Sequence, residues 1–299
     1  MPQFADLLAY SLIKLFGRLP LPWARTLGAA CGRVALACNL RMVQLTRRNI
    51  GRCLEELSAC DQAQLVRDSV LETCKLAFET AVVWRLEDEQ LLPLVKHIHG
   101  LDAVKALLAE GKGLIMLAPH LGNWEVLGRY LAQLGSVIYL FQPPRLQKLD
   151  ALVRSRRAKS GALLAPTNRR GLASILGVLK TGGISGILPD QTPKDGASGL
   201  VAPFFGQPAF TMTLVQKLLQ NSGCRAIFGY AQRTTEGFDM HFVPAPEAIY
   251  SADPLTAVTA LNAGVETCVR QCLAQYQWEY RRFKTKHLGA VASPPSQSP

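Results

Sequence analysis

The chain has 299 residues, is 48% hydrophobic and carries a formal charge of +11, from 33 Lys and Arg against 22 Asp and Glu. That length and apolar content supply a sizeable core, which excludes a disordered chain and allows one large domain or a domain with an appendage. The positive balance invites an anionic partner without dictating a fold.

The charge is unevenly spread. Residues 1–52 hold Lys14, Arg18, Arg25, Arg33, Arg41, Arg47, Arg48 and Arg52 against the single acid Asp6. Residues 145–170 hold Arg145, Lys148, Arg154, Arg156, Arg157, Lys159, Arg169 and Arg170 against Asp150, and Arg281, Arg282, Lys284 and Lys286 follow near the end. Elsewhere acids outnumber bases. Three concentrated patches fit lipid headgroups, a phosphorylated substrate, an acidic carrier protein or nucleic acid, and each also fits an ordinary solvated helix face.

In chain order, residues 4–16 form an apolar helix with a narrow polar stripe, Asp6, Tyr10 and Lys14. An acid near its start and recurring charges after it argue against a cleaved signal, and its uncharged run is too short to span a bilayer. Residues 19–40 are again apolar, broken by Pro20, Pro22 and arginines. Both segments suit a membrane interface, with Trp23 at headgroup depth, or a core. Residues 61–86 read as one long helix. Short β-type runs alternating with helical ones follow: KHIHG, GLIMLAP, SVIYLF and then a basic helix, GISGILP, and CRAIFGY with MHFVP. This pattern predicts an α/β fold with a mixed, largely parallel central sheet flanked by helices. Residues 254–276 read as a closing helix, and residues 290–299 as a loose tail.

The eight cysteines include no CxxC and read as small buried thiols. The five histidines show no zinc-ligand spacing with them, so neither a metal nor a cofactor is expected. A P-loop and a GxGxxG fingerprint are both missing, and Gly183-Ile184-Ser185-Gly186 is one residue short of a nucleophile elbow. The basic stretches lack interleaved aromatics, which argues against nucleic acid as partner.

What remains is a histidine. His120 follows GLIMLAP, a run suited to a central strand, and Gly122 and Asn123 turn the chain into a helix for which Asn123 is the expected cap. Ligands in such sheets bind beyond the carboxyl ends of strands. With His120 in the turn and Glu125 in the first helical turn, their side chains can meet, Glu125 fixing the tautomer and His120 serving as general base. His97 and Asp102 share this interval but lack the surrounding context. Asp190, after GISGILP, reads as a helix cap or a site acid.

HLGNWE after an apolar strand resembles the H-x4-D/E block of glycerolipid-type acyltransferases, and in this wording the late, lauroyl/myristoyl acyltransferases of lipid A biosynthesis. GILPDQTPKDG (186–196), APFFGQPAFT (202–211) and WEYRRFK (278–284) are similar to three further blocks of that family, with Tyr280 standing where His is frequent. The resemblance implies a membrane-associating helical segment over 1–40, an acyltransferase domain over 41–289 and a tail over 290–299. It further implies an enzyme on the cytoplasmic face of a bacterial inner membrane, an acyl-acyl-carrier-protein thioester as donor, and a hydroxyacyl chain of a phosphorylated, Kdo-bearing lipid A precursor as acceptor. His120 becomes the base and Glu125 its orienting partner, while Asp190 and Gln191 shape the acceptor side. Arg157, Arg169 and Arg170 are candidates for substrate phosphates. Backbone N–H groups near Gly122, or an arginine, are candidates for the oxyanion. Transfer to a lysophospholipid or another hydroxylated lipid is the alternative reaction, and a basic membrane- or nucleic-acid-binding protein without catalysis the alternative class.

Overall fold

The computed structural model describes residues 2–141, 150, 151, 154, 161–193 and 196–284, without the side chains of 2–6, 8 and 9. Five helices open the chain: α1 (Pro2–Phe16), α2 (Leu21–Ala37), α3 (Arg41–Cys53), the long α4 (Ala59–Arg85) and the short α5 (Asp88–Leu91). Ser58 caps α4 by accepting the Asp61 N–H. Helix α2 packs along α4 through its small residues Ala24, Gly28, Gly32 and Ala35, which are buried. A Cβ on Gly28 would lie 2.6 Å from Lys75 Cα, so the helices approach backbone to backbone. The large apolar residues of α2 consequently point outward: Trp23, Leu27 and Val34 are exposed.

The rest builds a seven-stranded sheet from β1 (Val95–His99), β2 (Leu114–Leu117), β3 (Val137–Phe141), β4 (Leu163–Pro166), β5 (Ile184–Ile187), β8 (Arg225–Arg233) and β9 (Phe238–Pro244). Its order is β1-β9-β8-β2-β5-β3-β4, and only β8 and β9 pair antiparallel. The expected mixed, largely parallel α/β sheet is therefore observed. Strand β2 lies at its centre and is buried along its whole length, as expected of a parallel strand covered on both faces. Ile115 and Leu117 point into one apolar core, under α8 (Arg169–Lys180), α9 (Leu214–Ser222) and α10 (Pro254–Gln271). Leu114 and Met116 point into another, under α6 (Leu101–Ala109) and α7 (Trp124–Leu131).

The APFFGQPAFT block lies within a separate antiparallel hairpin, β6 (Gly199–Phe204) with β7 (Gln207–Met212). Two readings are corrected. Helix α10 stops at Gln271 rather than 276, because the chain beyond it turns to bridge the segment after β2, Leu121 to Tyr276. Cys31, Cys38 and Cys60 are exposed, although Cys53, Cys224, Cys268 and Cys272 are buried as expected. Burial pushes the Cys53 and Cys268 thiols up to about 12, which keeps them inert. Among the described residues no helix is long and apolar enough to cross a membrane, and no cluster of His, Cys, Asp or Glu is fit to hold a metal ion.

Candidate active site

Strands β2 and β5 run parallel with Leu117 opposite Ile187, a constant offset of seventy residues. Continued beyond the strand ends, that register sets His120 opposite Asp190. The two meet there. Asp190 Oδ2 accepts the His120 backbone N–H at 2.9 Å, and Oδ1 lies 2.7 Å from Nδ1. Both groups are largely withdrawn from water, with side-chain exposures of 12% for His120 and 2% for Asp190. Burial by itself would raise the Asp190 carboxyl, but the His120 charge and the two hydrogen bonds outweigh it and hold the group below its ordinary value. An ionised carboxylate only accepts, so Nδ1 carries the ring proton and Nε2 keeps its lone pair. The Gln191 amide donates to that Nε2 at 3.0 Å. The ring edge is steadied by Trp124, centroids 5.0 Å apart in a T-shaped contact.

The turn carrying His120 is fixed from several sides. Gly122 has φ +60°, and a Cβ there would lie 2.0 Å from the Ala231 carbonyl, so only glycine fits. Gly122 N–H donates to Gln275 O and Asn123 N–H to Ala231 O, which commits both groups inward and removes them as oxyanion donors. Asn123 caps α7 as expected, accepting the Val126 N–H. Its amide also donates to Glu79 Oε2 at 3.0 Å. Glu79, fully buried in α4, takes hydrogen bonds from Arg233 at the end of β8 and from Arg25 of α2. A buried carboxylate without such partners would be strongly destabilising, and here the pairing ties three elements to the turn.

The carboxylate at Nδ1 is thus that of Asp190, not Glu125 as the spacing suggests. Glu125 occupies the first turn of α7 and lines an apolar cavity beside His120, walled by Trp84, Ala118, Trp124, Leu131, Leu140 and Leu188. The void measures about 690 Å³, mouth included. Arg129, which also borders it, donates to Asp88 and to the Leu86 carbonyl. Arg169 and Arg170 are exposed at the start of α8, away from ion pairs among the described residues, and Arg157 lies outside those residues.

Glu279 belongs to the same neighbourhood and carries no sequence signal of its own beyond the WEYRRFK block. Burial raises its carboxyl, opposed by a hydrogen bond from Thr73 and by the charge of His120. Tyr276 is raised far above the ordinary phenol range by complete burial and by the Asp190 charge. Tyr280 accepts the Thr192 N–H through its hydroxyl at 3.0 Å and so braces the loop that carries Asp190 and Gln191. Arg282 is buried against the Phe210 carbonyl and Thr211, locking the closing segment to β7. Glu79 had one legible clue, a charge on the stripe Leu76, Glu79, Val83 that is otherwise apolar.

Together these groups set a histidine, with a buried carboxylate at its Nδ1, beside an apolar cavity. A family model described as bacterial lipid A biosynthesis acyltransferase matches residues 1–285. The chain is 25% identical over 283 residues to a lipid A biosynthesis palmitoleoyltransferase of Escherichia coli (strain K12), covering 93% of this chain and 90% of that one. It is 24% identical over 284 residues to a lipid A biosynthesis lauroyltransferase of the same organism, covering 94% and 92%. With a lipid A biosynthesis acyltransferase of Haemophilus influenzae the match is 25% over 193 residues, or 64% and 59% of the two chains.

Proposed function

The chain belongs to the bacterial lipid A biosynthesis acyltransferases, and from that premise we propose that it moves a fatty acyl chain from an acyl-carrier-protein thioester to a hydroxyacyl chain of a Kdo-bearing lipid A precursor. The observation that carries the mechanism is the His120 ring, backed by Asp190 and turned with Nε2 toward Gln191 beside an apolar cavity. In this reading the acceptor hydroxyl replaces the Gln191 amide at Nε2. As its oxygen attacks the thioester carbonyl, its proton passes to Nε2, and Asp190 stabilises the imidazolium that forms. The tetrahedral oxyanion collapses, the carbon–sulfur bond breaks, and the thiolate leaves with the proton from Nε2. The thioester is already activated, so the enzyme supplies a base, orientation and charge stabilisation.

The cavity suits the acyl chain because its walls are apolar, each methylene buried there being worth about 0.8 kcal/mol. Glu125, at the same cavity, is the second carboxylate of the pair and orients donor and acceptor at the mouth. Arg169 and Arg170 are assigned to acceptor phosphates, together with Arg157, and an arginine takes the oxyanion now that the Gly122 and Asn123 N–H groups are committed. The outward apolar residues of α2 support a seat on the cytoplasmic face of the inner membrane, where the lipid acceptor resides.

The test is transfer from a series of acyl-carrier-protein thioesters to the lipid A precursor, read by product mass. The native chain is expected to transfer, and Glu125→Ala to lose activity about as severely as removal of a positioned acid or base does, roughly 10²-fold or more. Transfer only to a lysophospholipid would replace the acceptor in this proposal, and no transfer to any lipid would remove it.

A further inference from the structure

Helix α3 presents an unusual exposed face. Its sequence contains four arginines and no acid, and Arg41 stands at its first position, where the helix dipole disfavours a cation. The N-cap, Leu40, contributes no side-chain hydrogen bond, so the first amides of α3 keep their positive end uncapped. Arg41 and Arg48, two turns apart, line one cleft together with Gln44, Leu45 and Arg281. None of the three arginines forms an ion pair among the described residues, and no carboxylate lines the cleft. Arg25, Arg129, Arg225, Arg233 and Arg270 each meet a carboxylate, whereas Arg169 and Arg170 share the lack of one but are not gathered in such a cleft among the described residues. Three guanidinium groups lining one cleft without a carboxylate, one of them at the uncapped start of α3, repel one another unless an anion joins them.

The position of the cleft is equally specific. On one side is Leu40, itself exposed, at the end of the outward apolar face of α2 that carries Trp23, Leu27 and Val34. On the other is the closing segment. Asn49 of α3 donates to the Trp278 and Tyr280 carbonyls, which draws Arg281 to Arg48, and the Gln277 N–H donates to the His120 carbonyl. From Gln277 to Arg281 the chain can span at most about 14 Å. The cleft therefore stands between an apolar surface and the candidate active site.

We propose that Arg41, Arg48 and Arg281 form a phosphomonoester subsite for the lipid acceptor, holding a headgroup phosphate while the acyl portion of that lipid reaches His120. Planar guanidinium forks match the geometry of a terminal phosphate, and the uncapped α3 amides add to the same field. The assignment of the bound lipid as acceptor rests on the acyl-transfer reading, whereas the phosphate chemistry of the cleft does not.

Two measurements separate those claims. In the first, vesicles of phosphatidylcholine doped with phosphatidic acid are compared with vesicles doped with phosphatidylglycerol to the same surface charge, and binding of the purified full-length chain is read by flotation. The native chain is expected to bind the phosphomonoester vesicles about tenfold more tightly, because a terminal phosphate accepts paired guanidinium hydrogen bonds that a phosphodiester of the same surface charge offers less freely. Arg41→Ala/Arg48→Ala/Arg281→Ala is expected to lose that preference while keeping its binding to phosphatidylcholine alone. The variant Lys105→Ala/Lys180→Ala/Lys217→Ala, with the same loss of charge, is expected to retain the preference. A preference missing in the native chain, or preserved in the arginine variant, overturns the subsite. Abolition of the preference by inorganic phosphate at low concentration would make the cleft a free-phosphate site and overturn its assignment to a lipid.

In the second, acyl transfer is followed in neutral detergent with the lipid A precursor and with its dephosphorylated form. The arginine variant is expected to raise KM for the phosphorylated acceptor about tenfold with kcat within about twofold, and to leave KM for the dephosphorylated one unchanged. An unchanged KM for the phosphorylated acceptor overturns the proposal. Vesicle preference without any transfer by the native chain would leave the subsite standing and bring down the reaction instead.

Discussion

The centre and one edge of the same sheet both carry histidines, and they make very different surroundings for the same side chain. At the β2–β5 ends, His120 is backed by a buried carboxylate, and its neighbours Ala118, Trp124 and Glu125 line an apolar cavity. At the β1–β9 edge, His97 and His99 lie on an exposed strand, His99 stacked on His241 at 4.6 Å. Asp102, which follows His97 at the same interval as Glu125 follows His120, sits in the first turn of α6, and the register sets His97 opposite Asp239 instead. A central parallel strand ends beside another strand end, so two loops converge and a polar pair is withdrawn from water together. An edge strand has one neighbour, and its histidines remain wet. Burial with a partner, rather than spacing along the chain, distinguishes the two.

Mutation breaks or sharpens this contrast. The largest difference is expected between His120→Ala and His97→Ala: transfer falls by roughly 10²–10⁴-fold in the first and stays within about twofold in the second. Equal losses would erase the distinction. Asp190→Asn comes next, lowering kcat by roughly 10²-fold or more because the wrong tautomer is then favoured at His120. It also has a pH signature. The native carboxyl is held below its ordinary 3.8, so its contribution to stability is present above that value and lost as pH falls through the lower folded one. Denaturation midpoints of native and Asn variant are therefore expected to converge only in strong acid.

Gly122→Ala tests the turn itself: a Cβ 2.0 Å from the Ala231 carbonyl, added to a positive φ, should destabilise the fold by about 2–3 kcal/mol in denaturant titrations. Glu279→Gln should do the reverse. Its carboxyl is raised above the ordinary 4.5, so the folded state pays for ionisation as pH rises past that value, and the amide variant should gain stability relative to native across that window. The smallest effect belongs to His241, on β9 next to the edge strand β1. Burial and the neighbouring His99 charge lower His241 below 6.5, opposed by Asp239, so the unfolded chain takes up the proton first and stability declines as pH falls through 6.5. His241→Phe should flatten that slope slightly and leave transfer unchanged; a lost activity would give the edge a role the contrast denies it.

Much was legible along the chain because it depends on neighbours in sequence. The continuous apolar run Leu114–Leu117 marks a strand buried on both faces, and the Gly122-Asn123 turn with its cap follows from backbone preferences that act within a few residues. The alternation of strands and helices, and hence the largely parallel sheet, follows from the same local periodicities. Asp190 and Gln191 were visible as residues of interest, but not as the groups that hold the two nitrogens of His120.

That step required the register. His120 and Asp190 meet because β2 and β5, separated by β3 and β4 in the sequence, become neighbours with Leu117 opposite Ile187, and no local preference encodes a pairing across seventy residues. Likewise the hydrogen bonds linking Glu79, Arg233 and Asn123 unite residues from three distant segments. The sequence by itself determined which segments are strands and helices and which turn offers a histidine, since these are set by short-range sterics and periodic burial. Tertiary structure alone decided which carboxylate stands behind that histidine, because a buried charge takes its partner from whatever the packing of the sheet brings within hydrogen-bond reach.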